Sequence, residues 1–323
     1  MKKIIYILTA FAFTTAFGQS DPNFRQNNFN ALMLNPAQAG ANDYNDITLL
    51  GTQSWLGFDG APRTVTASGN FNLKHNMGFG ISGFLDQLGP INASRLSADL
   101  AYHLNLNEDW TAALGLRGMI SSIYVDLPSL TTTVQNDPYM STSLVSGTLF
   151  DVGFGGLVYS DQYYFGVSMP RVASRNFKNV NMQEFVERRG FISYGGAQFD
   201  LTESLEIRPS MVFRYVHSYP LLWDVNAMFT YDGKYDFGLN YQLMNSLGVV
   251  LGYELGEQLS IGYAYSFPTS KLNRISFQSH EIVIRIKMFG GEGGGFSSGS
   301  SRSPNQYHFL ILLQQLMYQL HFH

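Results

Sequence analysis

Residues 235–243 alternate strictly between apolar side chains and polar side chains or glycine, with every odd position apolar. Successive side chains of a β-strand point to opposite faces, so a period of two predicts a strand with one apolar and one polar face. The same alternation recurs in residues 96–104, 207–215, 223–231 and 259–267. Helical periodicity is scarce outside the N-terminal region. The chain is therefore predicted to be all-β.

Fourteen segments of this kind follow one another, and the lengths of their connections alternate. The segments lie near residues 46–55, 64–73, 77–87, 94–104, 110–125, 150–160, 163–169, 190–200, 205–216, 222–231, 235–243, 246–255, 259–267 and 278–289. The even-numbered connections are short, the long ones are all odd-numbered, and one odd connection, Met244-Asn245, is short. Bacterial outer-membrane barrels have an even strand number, short periplasmic turns and longer extracellular loops. We therefore predict a 14-stranded antiparallel transmembrane β-barrel over residues 46–289, with both chain termini periplasmic.

A soluble β-sandwich is the alternative for many alternating strands, and composition decides between the two. Charged residues make up 14% of the chain, against about 25% in ordinary soluble proteins, and aromatic residues make up 15%. Aromatic side chains at strand ends are typical of the girdles at the two membrane interfaces. The candidates are Trp55, Trp110, Tyr159, Trp223, Tyr231, Tyr235 and Phe267. The membrane barrel is favoured.

The sequence carries no signal for catalysis, a cofactor or a metal. A net charge of −4 lacks the basic excess that nucleic acid would require, and zero cysteines exclude disulfides and thiolate zinc sites. The seven histidines form no HExxH pattern. Residues 78–83 match a dinucleotide-type glycine pattern, but no βαβ unit surrounds them, so these glycines are predicted to thin one face of a strand. We expect a protein that is not an enzyme.

The two ends of the chain differ from the barrel in composition. Lys2 and Lys3, an apolar run and small residues before Gln19 predict a signal peptide over residues 1–18. Residues 19–45 lack sustained alternation and are interpreted as a periplasmic or lumenal N-terminal segment. Residues 290–323 are interpreted as a Gly/Ser linker and tail, for which a non-native extension is favoured over a native one.

Two long odd-numbered loops, residues 127–146 and 170–187, are rich in Thr, Ser, Asn and Pro. Long loops are where barrels place recognition, so these loops are predicted to bind a partner. The candidate contact residues are Asp137, Tyr139, Arg171, Arg175 and Lys178. A loop that folds inward and narrows the lumen is the alternative, and the sequence leaves both open.

The N-terminal segment carries a family signature: a DPxFxQ start, an FN pair and an NPAxAG element. The matching residues are Asp21, Pro22, Phe24, Gln26, Phe29, Asn30, Asn35, Pro36, Ala37, Ala39 and Gly40. With these motifs the chain resembles the PorP/SprF family, and residues 279–282 are similar to the family's final strand. Asn27-Asn28 and Gln38 depart from the commoner Tyr-Met and aromatic residue at those positions.

The resemblance implies an outer-membrane barrel of the Bacteroidetes type IX secretion and gliding-motility system. Its expected partners are a large secreted surface adhesin, bound through the adhesin's C-terminal domain for export or retention, other secretion components and outer-membrane lipid, with no nucleic acid. A FadL-like transporter of hydrophobic small molecules is the main alternative, because such barrels are of the same size and their plug holds an Asn-Pro-Ala-like element. Such a transporter would need an apolar lumenal pocket and a lateral opening. A passive porin is a third possibility, and the low charge count argues against it.

Overall fold

The computed structural model describes residues 26, 30–129, 144–145, 148–173, 175–178, 184–187, 189–216, 221–243, 245–269 and 278–288. Side chains are described for all of these except residues 129, 144–145, 175–178 and 184–187. The expected signal peptide and C-terminal tail lie outside the described residues. None of the helices that the described residues form has the length and apolar character needed to cross a bilayer.

Fourteen strands among the described residues close into one antiparallel barrel. They are β1 (Asn45–Ser54), β2 (Arg63–Asn72), β3 (Met77–Leu88), β4 (Ile91–Asn105), β5 (Thr111–Val125), β6 (Leu149–Tyr159), β7 (Tyr163–Met169), β8 (Gly190–Ala197), β9 (Leu205–Val216), β10 (Leu222–Tyr231), β11 (Tyr235–Gln242), β12 (Ser246–Leu255), β13 (Leu259–Pro268) and β14 (Ser279–Met288). The last strand pairs with the first from Asn45↔Met288 to Ser54↔Ser279, which closes the barrel. The predicted fold class is confirmed.

Shorter elements lie around this wall. Phe199–Thr202 continues β8 along β9, and Leu144–Val145 pairs with the end of β5. Arg175–Lys178 and Glu184–Glu187 form a separate hairpin within the β7–β8 connection. Three 3-10 helices complete the described structure: Ala31–Met33, Pro36–Gln38 and Leu127–Ser129.

The barrel inverts the burial pattern of a soluble protein. Along β11 the odd residues Tyr235, Phe237, Leu239 and Tyr241 are exposed, whereas the even residues between them are buried. Exposed apolar side chains on the outside and buried polar side chains on the inside are what a lipid-facing wall around a polar lumen requires. A soluble sandwich would bury the apolar parity, so that alternative is excluded.

The two ends of the barrel differ in their connections. The end at which β1 begins carries short turns such as residues 73–76, 160–162 and 232–234, and we refer to it as the short-turn end. The opposite, long-loop end carries residues 126–148, 170–189 and 269–278. One predicted connection is shorter than expected: β3 and β4 pair up to Leu88↔Ile91, so only Gly89 and Pro90 join them. Gly89 has φ +55, a backbone conformation that glycine adopts without steric cost, and this allows the tight turn to form.

Two of the predicted girdle aromatics lie elsewhere. Tyr159 faces the lumen, where its hydroxyl lies 3.1 Å from His103 Nδ1, because it shares the parity of buried Leu157. Trp55 lies beyond the end of β1 in the first loop, with φ +55. Position near a strand end does not by itself place a side chain in the girdle, because parity directs Tyr159 inward and backbone conformation sets the direction of Trp55.

Candidate functional site

Residues 30–44 run inside the barrel, and we call them the lumenal segment. Along the segment, the contacts with the wall move toward the short-turn end. Asn30 bonds to Thr66 and Ser68 near the middle of β2, and Gly40 bonds to Asn70 close to the short-turn end. Higher still, Gln26 N donates to Glu281 Oε1 at 2.7 Å, two residues below the long-loop end of β14. The chain therefore passes down the lumen before it turns into β1.

The lumenal segment satisfies its backbone without joining the sheet. Met33, Leu34, Asn35, Gln38, Ala39 and Ala41 each donate an N–H to a carbonyl within the segment, at 3.0 to 3.2 Å. Ala37 N donates to Asn35 Oδ1 at 2.9 Å, and Gly40 N donates to Asn70 Oδ1 at 2.7 Å. Every non-proline amide from residue 33 to 41 is thus paired. Because an unpaired buried amide is costly, this complete pairing indicates a single compact structure.

A buried ion pair clamps the segment to the wall. Arg117 of β5 donates from Nε to Asp99 Oδ1 at 2.6 Å and from Nη2 to Asp99 Oδ2 at 2.9 Å. The same guanidinium donates to the carbonyls of Leu32, at 2.6 Å, and Met33, at 3.3 Å. Asp99 is 0% exposed and Arg117 is 5% exposed. The bidentate pair orients Arg117, and its remaining donors hold the segment.

Asn35 is the polar centre of the lower half of the segment. Its Nδ2 donates to the carbonyl of Gly156 at 2.9 Å and to the hydroxyl of Tyr194 at 3.1 Å, while its Oδ1 caps the turn Pro36–Gln38. Gln38 Nε2 also donates to the Tyr194 hydroxyl, at 2.8 Å. Asn35 thus joins the Asn-Pro-Ala turn to strands β6 and β8, which is why an amide suits this position.

Two more wall side chains hold carbonyls of the segment. Ser168 Oγ donates to the carbonyl of Leu34 at 2.6 Å. His103 Nε2 donates to the carbonyl of Ala39 at 2.7 Å, and in the neutral imidazole Nδ1 then accepts from the hydroxyl of Tyr159. The wall thus supplies donors to the carbonyls of Leu34 and Ala39.

Inward-facing glycines let the segment approach the wall backbone to backbone. A Cβ on Gly115 would overlap Ala37 N, one on Gly155 would overlap Asn35 Oδ1, and one on Gly78 would overlap the carbonyl of Ala39. Gly80 faces the Leu32 side chain, whose Cδ1 would lie 2.8 Å from an added Cβ. The glycines of residues 78–83 thus thin the wall at two lumen-facing positions, and the space is filled by the lumenal segment.

Polar pairs line the wall across the lumen. Gln242 Nε2 donates to Asp224 Oδ1 at 2.9 Å, and Asn240 Nδ2 donates to Asn226 Oδ1 at 2.6 Å. Arg208 Nη2 donates to Asp236 Oδ1 at 2.7 Å. A cavity of about 330 Å³ remains beside the lumenal segment toward the short-turn end, bordered by polar residues that include Tyr44, Asp46, Tyr164, Gln198, Arg208 and Arg285.

Within the described part of the chain, no three His, Asp or Glu side chains are grouped so that they could hold a metal ion.

The residues singled out from the sequence divide into two groups. Of the family signature, Gln26, Asn30, Asn35, Pro36, Ala37, Ala39 and Gly40 are buried in the lumen. Asp21, Pro22, Phe24 and Phe29 lie outside the described residues, as do the loop candidates Asp137 and Tyr139. Arg175 and Lys178 belong to the hairpin, and their side chains are not among those described. Arg171 is 7% exposed and interacts within the chain, so as placed it is not offered to a partner.

Sequence reasoning missed Asp99, Arg117 and Tyr194, which hold the segment. The sequence does carry a signal for Asp99 and Arg117. They are direct partners in the β4–β5 register and lie equally far from the turn that joins these strands. Pairing residues outward from the turn at 106–110 places Asp99 opposite Arg117, so that two opposite charges meet on the lumen-facing side of the strands. Tyr194 had no comparable signal.

The family model described as "Type IX secretion system membrane protein PorP/SprF" matches residues 16–286, which include the lumenal segment and most of the barrel. The chain belongs to this family. The PorP/SprF protein thus combines the signature expected from its sequence with an outer-membrane barrel, and Asn35, Ala37 and Ala39 of that signature are 0% exposed. None of the curated proteins matches the chain in sequence.

Solved structures that resemble this PorP/SprF barrel have low sequence identity to it. A FadL homologue of Pseudomonas aeruginosa has 11% identity and a TM-score of 0.49, covering 85% of this chain and 96% of its own. The Pseudomonas putida toluene transporter TodX has 11% identity and a TM-score of 0.48, covering 81% and 94%. Omp33 of Acinetobacter baumannii has 8% identity and a TM-score of 0.45, covering 77% and 100%. These similarities concern the fold alone.

Replacing Asn35 by alanine is expected to lower the free energy of unfolding by about 1–3 kcal/mol, because it removes the cap of Ala37 N–H and the hydrogen bonds to Gly156 and Tyr194. Urea unfolding of the barrel in lipid measures this loss. Asn92→Ala is the control, since the Asn92 side chain makes a single 3.4 Å bond at the long-loop end. Equal unfolding midpoints for the two variants would contradict the role given to Asn35.

Proposed function

We propose that this barrel is a non-enzymatic docking component of the type IX secretion and gliding system, which binds a large secreted adhesin for export or cell-surface attachment. The family match supports a role in secretion. In this proposal the adhesin is held through its C-terminal domain, and other components of the system bind the same barrel. The lumenal segment supports docking at the barrel, because the segment occupies the path through the lumen that an exported chain would otherwise take.

A clamped segment in the lumen favours docking over conduction. The guanidinium of Arg117 and the amide of Asn35 join the segment to the four wall strands β5 to β8, and inward glycines fit its backbone closely. A partner that meets this barrel would then bind at one of its mouths. We place the short-turn end in the periplasm and the long-loop end outside the cell, with Asp137, Tyr139, Arg175 and Lys178 of the long loops as candidate contacts.

The orientation of the chain termini stays part of the proposal. Met288, the last described residue, lies at the short-turn end, so the proposed periplasmic position of that end implies a periplasmic C-terminus. Gln26 lies nearer the long-loop end of the lumen, so a periplasmic N-terminus requires the chain before Gln26 to turn back toward the short-turn end. We propose that both termini are periplasmic.

A FadL-like transporter of hydrophobic small molecules is the alternative. It requires an apolar pocket in the lumen, whereas the cavity beside the lumenal segment is bordered mainly by tyrosines, amides, carboxylates and arginines. The polar wall formed by Asp224, Asn226, Asn240 and Gln242 is also a poor surface for a hydrocarbon. The lumen therefore favours docking over transport.

The direct test is isolation of the barrel from native membranes through a tag placed after Met288, with no tag on any cargo. We expect a large secreted surface protein to co-isolate, and to be lost when its C-terminal domain is deleted. An unrelated outer-membrane barrel with the same tag is the control. Recovery of a bound hydrophobic small molecule without a protein partner would support transport, and unchanged surface adhesin after gene deletion would refute docking.

A further inference from the structure

The first long-loop-end connection, residues 55–62, lies beyond the apolar band of the barrel. On β1 and β2 the outward side chains Leu49 and Val65 are exposed and apolar, but the last outward pair before the loop is Gln53 opposite Arg63. On β3 and β4 the outermost outward pair is likewise polar, Gln87 opposite Asn92. Polar side chains at this height mark the border of the hydrocarbon region. The loop therefore projects past the membrane.

Three large apolar side chains are nevertheless exposed on this loop. Leu56 is 61% exposed and Phe58 is 55% exposed, and Trp55 beside them is 36% exposed. We call these three residues the apolar tip. Side chains of this kind in a lipid-facing position would be covered by acyl chains, but beyond the polar border they face water. Apolar patches rimmed by polar residues, here Gln53, Asp59 and Arg63, mark interaction sites.

The loop that carries the apolar tip is hydrogen-bonded into one conformation. Ser54 N donates to the Pro62 carbonyl at 2.9 Å, and Phe58 N donates to the Trp55 carbonyl at 3.1 Å. A neighbouring connection contributes Gly89 N, which donates to the Gly60 carbonyl at 2.9 Å. Trp55 has φ +55, a conformation unfavourable for a bulky residue, which the surrounding bonds maintain. Ordered apolar side chains lose little freedom on binding.

We propose that the apolar tip is a protein-docking surface, which inserts Leu56 and Phe58 into an apolar pocket on the secreted partner. This inference rests on the proposed function, which supplies a protein partner at the long-loop end. Aromatic side chains such as Phe58 and Trp55 are enriched in protein interfaces, and the surrounding polar side chains match the rim of such an interface. The position past the polar border favours a protein partner over the bilayer.

Photo-crosslinking in intact cells tests where the partner lies. With p-benzoylphenylalanine at position 58, we expect a crosslink to the secreted surface protein. The same probe at position 106 is the control, because Leu106 is 55% exposed but lies in a short turn at the opposite end. A crosslink only to lipid at position 58 would overturn the proposal in favour of a membrane contact, and equal protein crosslinks at both positions would overturn its specificity.

The double variant Leu56→Ser/Phe58→Ser tests the energetic role of the apolar tip. We expect at least a tenfold loss of the co-isolated secreted protein, with the barrel still folded as judged by its heat-modified migration, whereas Leu106→Ser retains full capture. Full capture by the double variant would refute the apolar tip and leave the docking function intact. If the unmodified barrel captures no secreted protein, the docking function itself fails, and the inference fails with it.

Discussion

Replacing Arg117 by methionine is expected to free the lumenal segment from the barrel wall. The substitution leaves the carboxylate of Asp99 buried without its partner and removes the donors that hold the carbonyls of Leu32 and Met33. Breaking a buried ion pair by removal of one partner costs about 3–5 kcal/mol. Because each 1.4 kcal/mol is a factor of ten, the segment should leave the wall at least about 100-fold more often.

A single cysteine reports this release, since the natural chain has none. Leu34 is buried in the segment, so Leu34→Cys should react slowly with a maleimide in the otherwise unchanged barrel and rapidly when Arg117→Met is added. Arg63→Met is the matched control, because Arg63 is an exposed arginine at the long-loop end. Adding Asp99→Leu to Arg117→Met should restore barrel stability but not protection of the cysteine. Slow labelling in the Arg117→Met background would contradict the clamp.

Gly115→Ala is the second substitution expected to have a large effect. The added Cβ would overlap the backbone of Ala37 and Pro36, which leaves no flexible side chain that could move aside. The Asn-Pro-Ala turn therefore cannot dock as before, although the barrel wall itself should still close. Gly118→Ala is the control on the same strand, because a Cβ there meets no atom within 4 Å.

Conductance of single barrels in planar bilayers separates the two glycine variants. We expect Gly115→Ala to show larger and more frequent openings than the natural barrel, since the displaced turn no longer fills its part of the lumen. Gly118→Ala should resemble the natural barrel. Identical traces for both variants would mean that the approach of the turn to the wall does not limit the lumen.

The barrel could be predicted from the sequence because its determinants are local. Alternation within strands of 7 to 15 residues gives each strand its two faces, and a turn joins it to a neighbour that is also next in the chain. The predicted bounds of β7, β9 and β10 agree with the structure. The β3–β4 turn was misplaced because Leu88 and Ile91 extend the ladder past the point at which the sequence alternation fades.

The contacts of the lumenal segment were not predictable in the same way. Asn35 meets the hydroxyl of Tyr194, and Arg117 meets the carbonyl of Leu32, 159 and 85 positions apart along the chain. Nothing local to any of these residues encodes such a meeting, which depends on barrel closure and on how deep the segment lies. The family resemblance identified Asn35, Pro36 and Ala37 as part of a shared motif, and the structure shows which wall residues this motif contacts.

Hydrogen exchange across residues 30–44 tests the central claim most directly, namely that an ordered N-terminal segment lies in the lumen. All eight non-proline amides from residue 33 to 41 are hydrogen-bonded and shielded by the wall. Mass spectrometry of the intact barrel in lipid nanodiscs should therefore find them protected for as long as the amides of β4 and β5. Complete exchange within seconds, at the rate of a free chain, would contradict the account.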